Sequence, residues 1–193
     1  MKTVKFTFLI AILASVFLSS CSYNTMVEKQ EATSSQWGQV QNAYQRRADL
    51  IPNLVATVKG YATHEEQTLT EVVNARAKAT QITVNAEDLS EENLKKYQEA
   101  QGQLSAALGK LLMVQEQYPD LKANQNFLAL QDELAGTENR IAVERNKYNE
   151  VVKDYNQYIR KFPQTIWAGW FGFTQKGYFE AEAGSQTAPT VQF

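Results

Sequence analysis

Apolar and aromatic side chains recur along most of this chain in alternating steps of three and four. Trp37, Val40, Tyr44, Arg47, Ile51, Leu54, Val58 and Tyr61 form the first such series. That spacing lines one face of a helix in a coiled-coil-like bundle. Leu69, Val72, Val73, Arg76 and Ala79 carry a related stripe onward, and nothing from Tyr23 to Gln81 alternates as a strand would. The stretch QITVNAEDL, residues 81–89, reads as a loop, after which Asp88 with Glu91, or Ser90 alone, can cap the next helix. In that helix Leu94, Tyr97, Leu104, Leu108, Leu111 and Tyr118 fall on heptad steps, Gln101 and Gln115 fill intervening slots, and Pro119 ends it. Asn124 or Asn126 starts the last series, Phe127, Leu130, Leu134, Ile141, Tyr148, Val151, Tyr155, Tyr158 and Phe162, which Pro163 stops.

Three long stretches with short connections predict an all-α, antiparallel bundle of three to four helical segments. A helix unbroken from Tyr23 to Thr80 would be about 87 Å long, longer than any partner here, so a bend or break is expected at Pro52 or near Gly60. Pro52 removes a backbone donor and crowds the carbonyl of Ala48. The heptad crosses it without a phase shift, which favours a kink; the alternative makes Asp49 an N-cap with a new helix beginning near Pro52. Residues 163–180, PQTIWAGWFGFTQKGYFE, form an aromatic tail whose glycines argue against helix, expected to fold back on the bundle. Residues 181–193 read as loosely ordered.

The front of the chain has a different grammar. Lys2 and Lys5 precede a thirteen-residue apolar run, Phe6–Leu18, and Ser19-Ser20-Cys21 follows. A basic start, an apolar core and small residues before a cut are the marks of an export signal. The run is short of the roughly 20 residues that span a bilayer. Ending on Cys21, it is similar to the lipobox of bacterial lipoproteins, which implies cleavage after residue 20 and acylation of the Cys21 sulfur, palmitate among the chains. Three parts are expected: a signal peptide, 1–20; a helical domain, 21–180; and a tail, 181–193. Ser22, with no acidic residue nearby, resembles a signal for outer-membrane sorting, facing the periplasm.

Composition adds exclusions. The whole chain has a net charge of −2, and losing Lys2 and Lys5 makes it more negative, so nothing favours nucleic acid. Cys21 is the single cysteine; once it is acylated, disulfides and cysteine catalysis are excluded.

The segment RRADLIPNLVATVKGYATHEE, Arg46 to Glu66, closely resembles the central motif of the LemA family. Further matches are the stretch from Tyr118 to Pro163 and the later AGWFGF and GYFEAE. The resemblance covers essentially all of residues 23–182. It implies an all-helical extracytoplasmic domain held at a membrane and implies no reaction. The chain departs from many members, which keep an uncleaved amino-terminal membrane helix.

No catalytic or cofactor constellation emerges, and no cofactor is expected. His64 is the single histidine, with Thr68 where a His-Glu-x-x-His site needs its second imidazole; a solvated surface group is expected. Arg46, Arg47, Asp49 and Asn53 surround Pro52. Arg47 holds a core position, where an unpaired charge is costly, and Glu144 holds one on the last helix, so an Arg47–Glu144 pair is expected to set the register between them. Asn53, Lys59, Tyr61 and His64 are a weaker candidate surface. Trp167 and Trp170, with the neighbouring aromatics, admit three roles: a plug for the bundle end, a partner site or a bilayer-interface belt. The expectation for function is a lipid-anchored, non-enzymatic scaffold binding other envelope proteins. An envelope hydrolase with an unpaired carboxylate site and a membrane-shaping helix are the alternatives.

Overall fold

The computed structural model describes the backbone of residues 2–180 and the side chains of residues 22–180. The side chain of Cys21 and the terminal stretch 181–193 lie outside the described residues. Among those residues the regular structure is all helical, with no strand.

Helix α1 (Lys2–Tyr61) runs up the length of the molecule, α2 (Glu66–Gln81) turns back beside it, and α3 (Glu91–Met113) climbs again. A 3-10 turn and the single-turn α4 (Pro119–Lys122) cross the far end, and α5 (Gln125–Arg160) descends the whole bundle to α6 (Gln164–Phe171) at its foot. The α1–α5 pair is the spine. Gln36 meets Glu144, and Arg46 meets Glu133: ten residues up α1 match eleven down α5, the signature of antiparallel neighbours. Ser90 and Asn124 are the caps of α3 and α5, accepting from Asn93 N and Phe127 N.

The heptad stripes become three stacked core layers. The far layer is aliphatic, built on Ile51, Leu54, Val58, Leu69, Val72, Leu104, Leu111 and Phe127. The middle layer is aromatic: Trp37 lies edge-on to Tyr97 and Tyr148, and Tyr44 edge-on to Tyr97. The foot layer joins Met26, Tyr155, Ile159 and Ala168. Three predicted stripe positions fall outside these layers and are exposed, the first being Val73 on α2. Tyr61, at the end of α1, is exposed, with Ala62 buried in its place. Phe162 lies beyond α5 and is 81% exposed.

Pro52 stands inside α1, so no new helix starts there and Asp49 caps nothing; Asp49 instead accepts from Gln45 on the same surface. The helix breaks after Tyr61, near Gly60. Continuity through Pro52 is possible because the carbonyl it orphans, Ala48 O, accepts from Arg76 Nε of α2 at 2.8 Å, a charge-assisted replacement for the missing helical bond. Asn53, the neighbour of Pro52, is exposed, and its carbonyl accepts from Thr57 one turn on.

The tail is part helix, contrary to the reading from its glycines. Gly169 lies within α6 with open space where a Cβ would project. Gly172 ends the helix with φ +76, the left-handed cap that glycine supplies without steric cost.

Candidate functional site

The sequence candidates do not converge on one site. Arg46 is an exposed surface partner of Glu133, at 2.7 Å, and lines a shallow groove between α1 and α5 with Gln39, Asn42, Glu133 and Arg140. His64 is exposed in the turn after α1. Among the described residues no group of three or more His, Cys, Asp or Glu side chains gathers as a metal site.

Arg47 is the centre of the most connected polar cluster. Its side chain is 1% exposed. Nη1 donates to Ser105 Oγ at 2.7 Å and Glu138 Oε1 at 2.8 Å. Nη2 donates to Gln101 Oε1 at 2.6 Å and to Gln101 O at 3.2 Å. The guanidinium also lies over the Tyr44 ring, 5.1 Å from its centroid. Gln101 Nε2 passes a bond on to Ala79 O, tying in α2. Four helices thus meet at one buried cation.

The expected Arg47–Glu144 pair does not form. The α1–α5 register puts Glu144 opposite Gln36, about a third of α1's packed length closer to the foot. Glu144 accepts from Gln36 Nε2 at 2.8 Å and pairs with Lys147 at 3.2 Å. The Gln36 amide first, with Lys147 adding to it, holds the Glu144 carboxyl below the usual carboxylate range. Each buried charge has its own partners.

The sequence reading missed a second device, an extended strap over residues 173–180. Tyr155 Oη donates to Thr174 O at 2.9 Å, and Tyr148 Oη to Gly177 O at 3.2 Å. Asn156 takes both backbone groups of Lys176, Nδ2 donating to its carbonyl at 2.8 Å and Oδ1 accepting its N–H at 2.9 Å. Asn149 does the same for Phe179, and Gln98 of α3 for Glu180. The spacing explains the fit. Seven helical residues rise about 10.5 Å, and three extended residues cover about 10 Å. Two Tyr-Asn pairs seven apart on α5 therefore meet strap groups three apart. That repeat was the available signal.

The strap brings Phe179 against Trp37 and Tyr148, at 6.0 and 5.3 Å between ring centroids. It also buries Lys176, whose Nζ donates to Glu87 O at 2.7 Å and Ala86 O at 3.3 Å. Burial lowers the Lys176 pKa, against the opposing pull of Asp88 and Glu87. Gly177 lies so close to α3 that a Cβ there would sit 2.8 Å from Glu91 Cα.

The two tryptophan candidates occupy the foot. They stack edge to face at 5.3 Å, but only Trp167 packs inward, against the foot layer. Trp170 is 76% exposed, and Phe162, Ile166 and Phe171 are exposed around it. Phe171 and Phe173 meet Tyr23 edge-on at 4.9 and 5.7 Å. The tail thus plugs the bundle with Phe173, Phe179 and Trp167 while turning a second aromatic face outward.

The sequence model of the LemA family matches residues 36–193. Two curated relatives, magnetosome proteins MamQ 1 and MamQ 2 of Paramagnetospirillum magneticum, are each 28% identical, over 92% of this chain and 72% of their own length. Protein LemA of Metamycoplasma hominis is 26% identical, over 82% of this chain and 70% of its own.

Proposed function

We propose, from the premise that this chain belongs to the LemA family, that it is a bacterial envelope lipoprotein anchored through Cys21 and acting as a non-enzymatic scaffold. One observation carries the reading: α1 runs from Cys21 into the bundle core without interruption. Met26, five residues after Cys21, is already fully buried against the foot layer. A lipid on Cys21 therefore sits at the base of the folded body with no linker between them. From Ser22 to Tyr61 the helix rises about 60 Å, so the body stands as a rod with long polar faces. The buried polar groups are taken up in holding helices together, as at Arg47. The groove beside Arg46 and Glu133 is the face offered to envelope partners, and the proposed location is the outer membrane, facing the periplasm. Confinement to a surface raises effective concentration towards co-anchored proteins.

Two measurements test this. Intact mass of protein extracted from native membranes is expected to show a chain beginning at an acylated Cys21; a free thiol, or retained residues 1–20, would defeat the anchor. A photo-crosslinking residue at Asn42 is expected to capture one or two recurrent envelope proteins. Background alone, at native expression, would defeat the scaffold.

A further inference from the structure

We propose that Phe162, Ile166 and Trp170 form a lipid-facing foot pad, seated at the headgroup boundary of the same bilayer that holds Cys21. This rests on the anchoring proposed above and specifies how the body meets the membrane.

The α6 sequence, QTIWAGWF, carries no charge. Its inner side, Trp167 and Ala168, packs on Met26, Tyr155 and Ile159. Ile166 and Trp170, one turn apart on the helix, stand exposed away from that packing, and Phe162, in the connection just before α6, is exposed as well. A helix that is apolar all round is ordinarily covered all round, so this outer face calls for an apolar cover.

Its position identifies the cover. Phe171 and Phe173 touch Tyr23, which lies two residues, about 3 Å of helix rise, from Cys21. Because α1 is continuous there, the pad is held at the level of the acylated residue. A protein partner docking on it would have to share that level with the bilayer surface.

The chemistry agrees. Helices that lie at a bilayer surface carry tryptophan, phenylalanine or leucine on the buried face and basic residues on the polar one. Arg160 and Lys161, both exposed, directly precede Phe162; near an anionic surface each basic group contributes to attraction. The first carboxylate on α1 after Cys21 is Glu28, about 10 Å higher up the helix. Apolar rings at the base, basic groups beside them and acidic groups above suit an anionic lipid surface.

The test uses processed full-length protein in phosphatidylethanolamine–phosphatidylglycerol vesicles whose acyl chains are brominated near the headgroup. Of the three tryptophans, Trp37 is buried in the middle layer, about 21 Å along α1 from Tyr23, beyond contact quenching. The expected result is a large loss of wild-type emission that Trp167→Phe/Trp170→Phe abolishes, with unchanged helical circular dichroism. A second variant, Phe162→Ser/Ile166→Ser, keeps both tryptophans and is expected to lose most of the quenching. Flotation separates the two readings. Protein that floats with vesicles while wild type and double variant quench alike would overturn the foot pad and leave the anchor standing. Protein that does not float would overturn both. A photo-crosslinker at Ile166 that captures a discrete protein in cells, rather than lipid, would also overturn the pad.

Discussion

Arg47 and Glu138 make opposite predictions for the two ends of one ion pair. Removing Glu138 leaves the buried guanidinium without its counter-charge. Stranding a buried charge typically costs about 3–5 kcal/mol. Here the Glu138 side chain is 41% exposed, and Ser105 and Gln101 still accept from Arg47. We therefore expect Glu138→Leu to cost about 1.5–3 kcal/mol, the range for a hydrogen bond to a charged group. Arg47→Met should cost less, about 0–2 kcal/mol. It keeps an apolar stem and frees Glu138 to hydrate. It leaves Gln101 Oε1 short of a donor, but it also removes Arg47 Nε, a buried donor with no partner, and such an orphan costs about 1–3 kcal/mol. The double variant should resemble Arg47→Met alone, giving a coupling of about 1.5–3 kcal/mol. Urea melts of Arg47→Met, Glu138→Leu and Glu144→Leu, and of the two doubles that combine Arg47→Met with each glutamate change, complete both cycles. Additivity of Arg47→Met with Glu138→Leu, or coupling with Glu144→Leu, would refute the assignment.

Three further outcomes follow from the strap and its aromatic bed. Asn156→Ala strands both backbone groups of Lys176, at about 1–3 kcal/mol each, so hydrogen exchange of amides 174–180 should accelerate far more than that of α2. Gly177→Ala forces a Cβ against α3 backbone and should destabilise by about 1–3 kcal/mol, whereas Gly136→Ala, in open space within α5, should stabilise by about 0.5–1 kcal/mol; calorimetry of the pair reads both signs. Burial raises the hydroxyl pKa of Tyr97, Tyr148 and Tyr155, the last to about 12. A raised acid pKa gives stability that is full below the unfolded value near 10 and is lost as pH climbs through the folded values. Lys176, with its lowered pKa, acts in the opposite sense, but only up to its unfolded value near 10.5, the lower edge of that window, and as one group against three. Melting temperature should therefore fall from about pH 10 upward, with tyrosinate absorbance rising as the helices unfold; stability flat to pH 12 would contradict the burial.

The heptad carried most of the fold because each long helix buries one continuous stripe, and that stripe is a local property. It put Arg47 in the core and ran unbroken through Pro52. Partners were another matter. Whether Arg47 meets Glu138 or Glu144 depends on the stagger of α5 against α1, which no single stripe encodes. The Arg76 bond that satisfies Ala48 O likewise needs α2 folded back across a turn. In the tail, glycine content misled because Gly169 faces open space and Gly172 serves as a cap. The strap has no periodicity of its own; its register is written in the Tyr-Asn repeat of α5, in a different element.

Phe179 closes over Trp37 and Tyr148 from nearly the last described position of the chain. During synthesis those rings precede their cover, so the middle layer cannot be completed until the strap itself has left the ribosome.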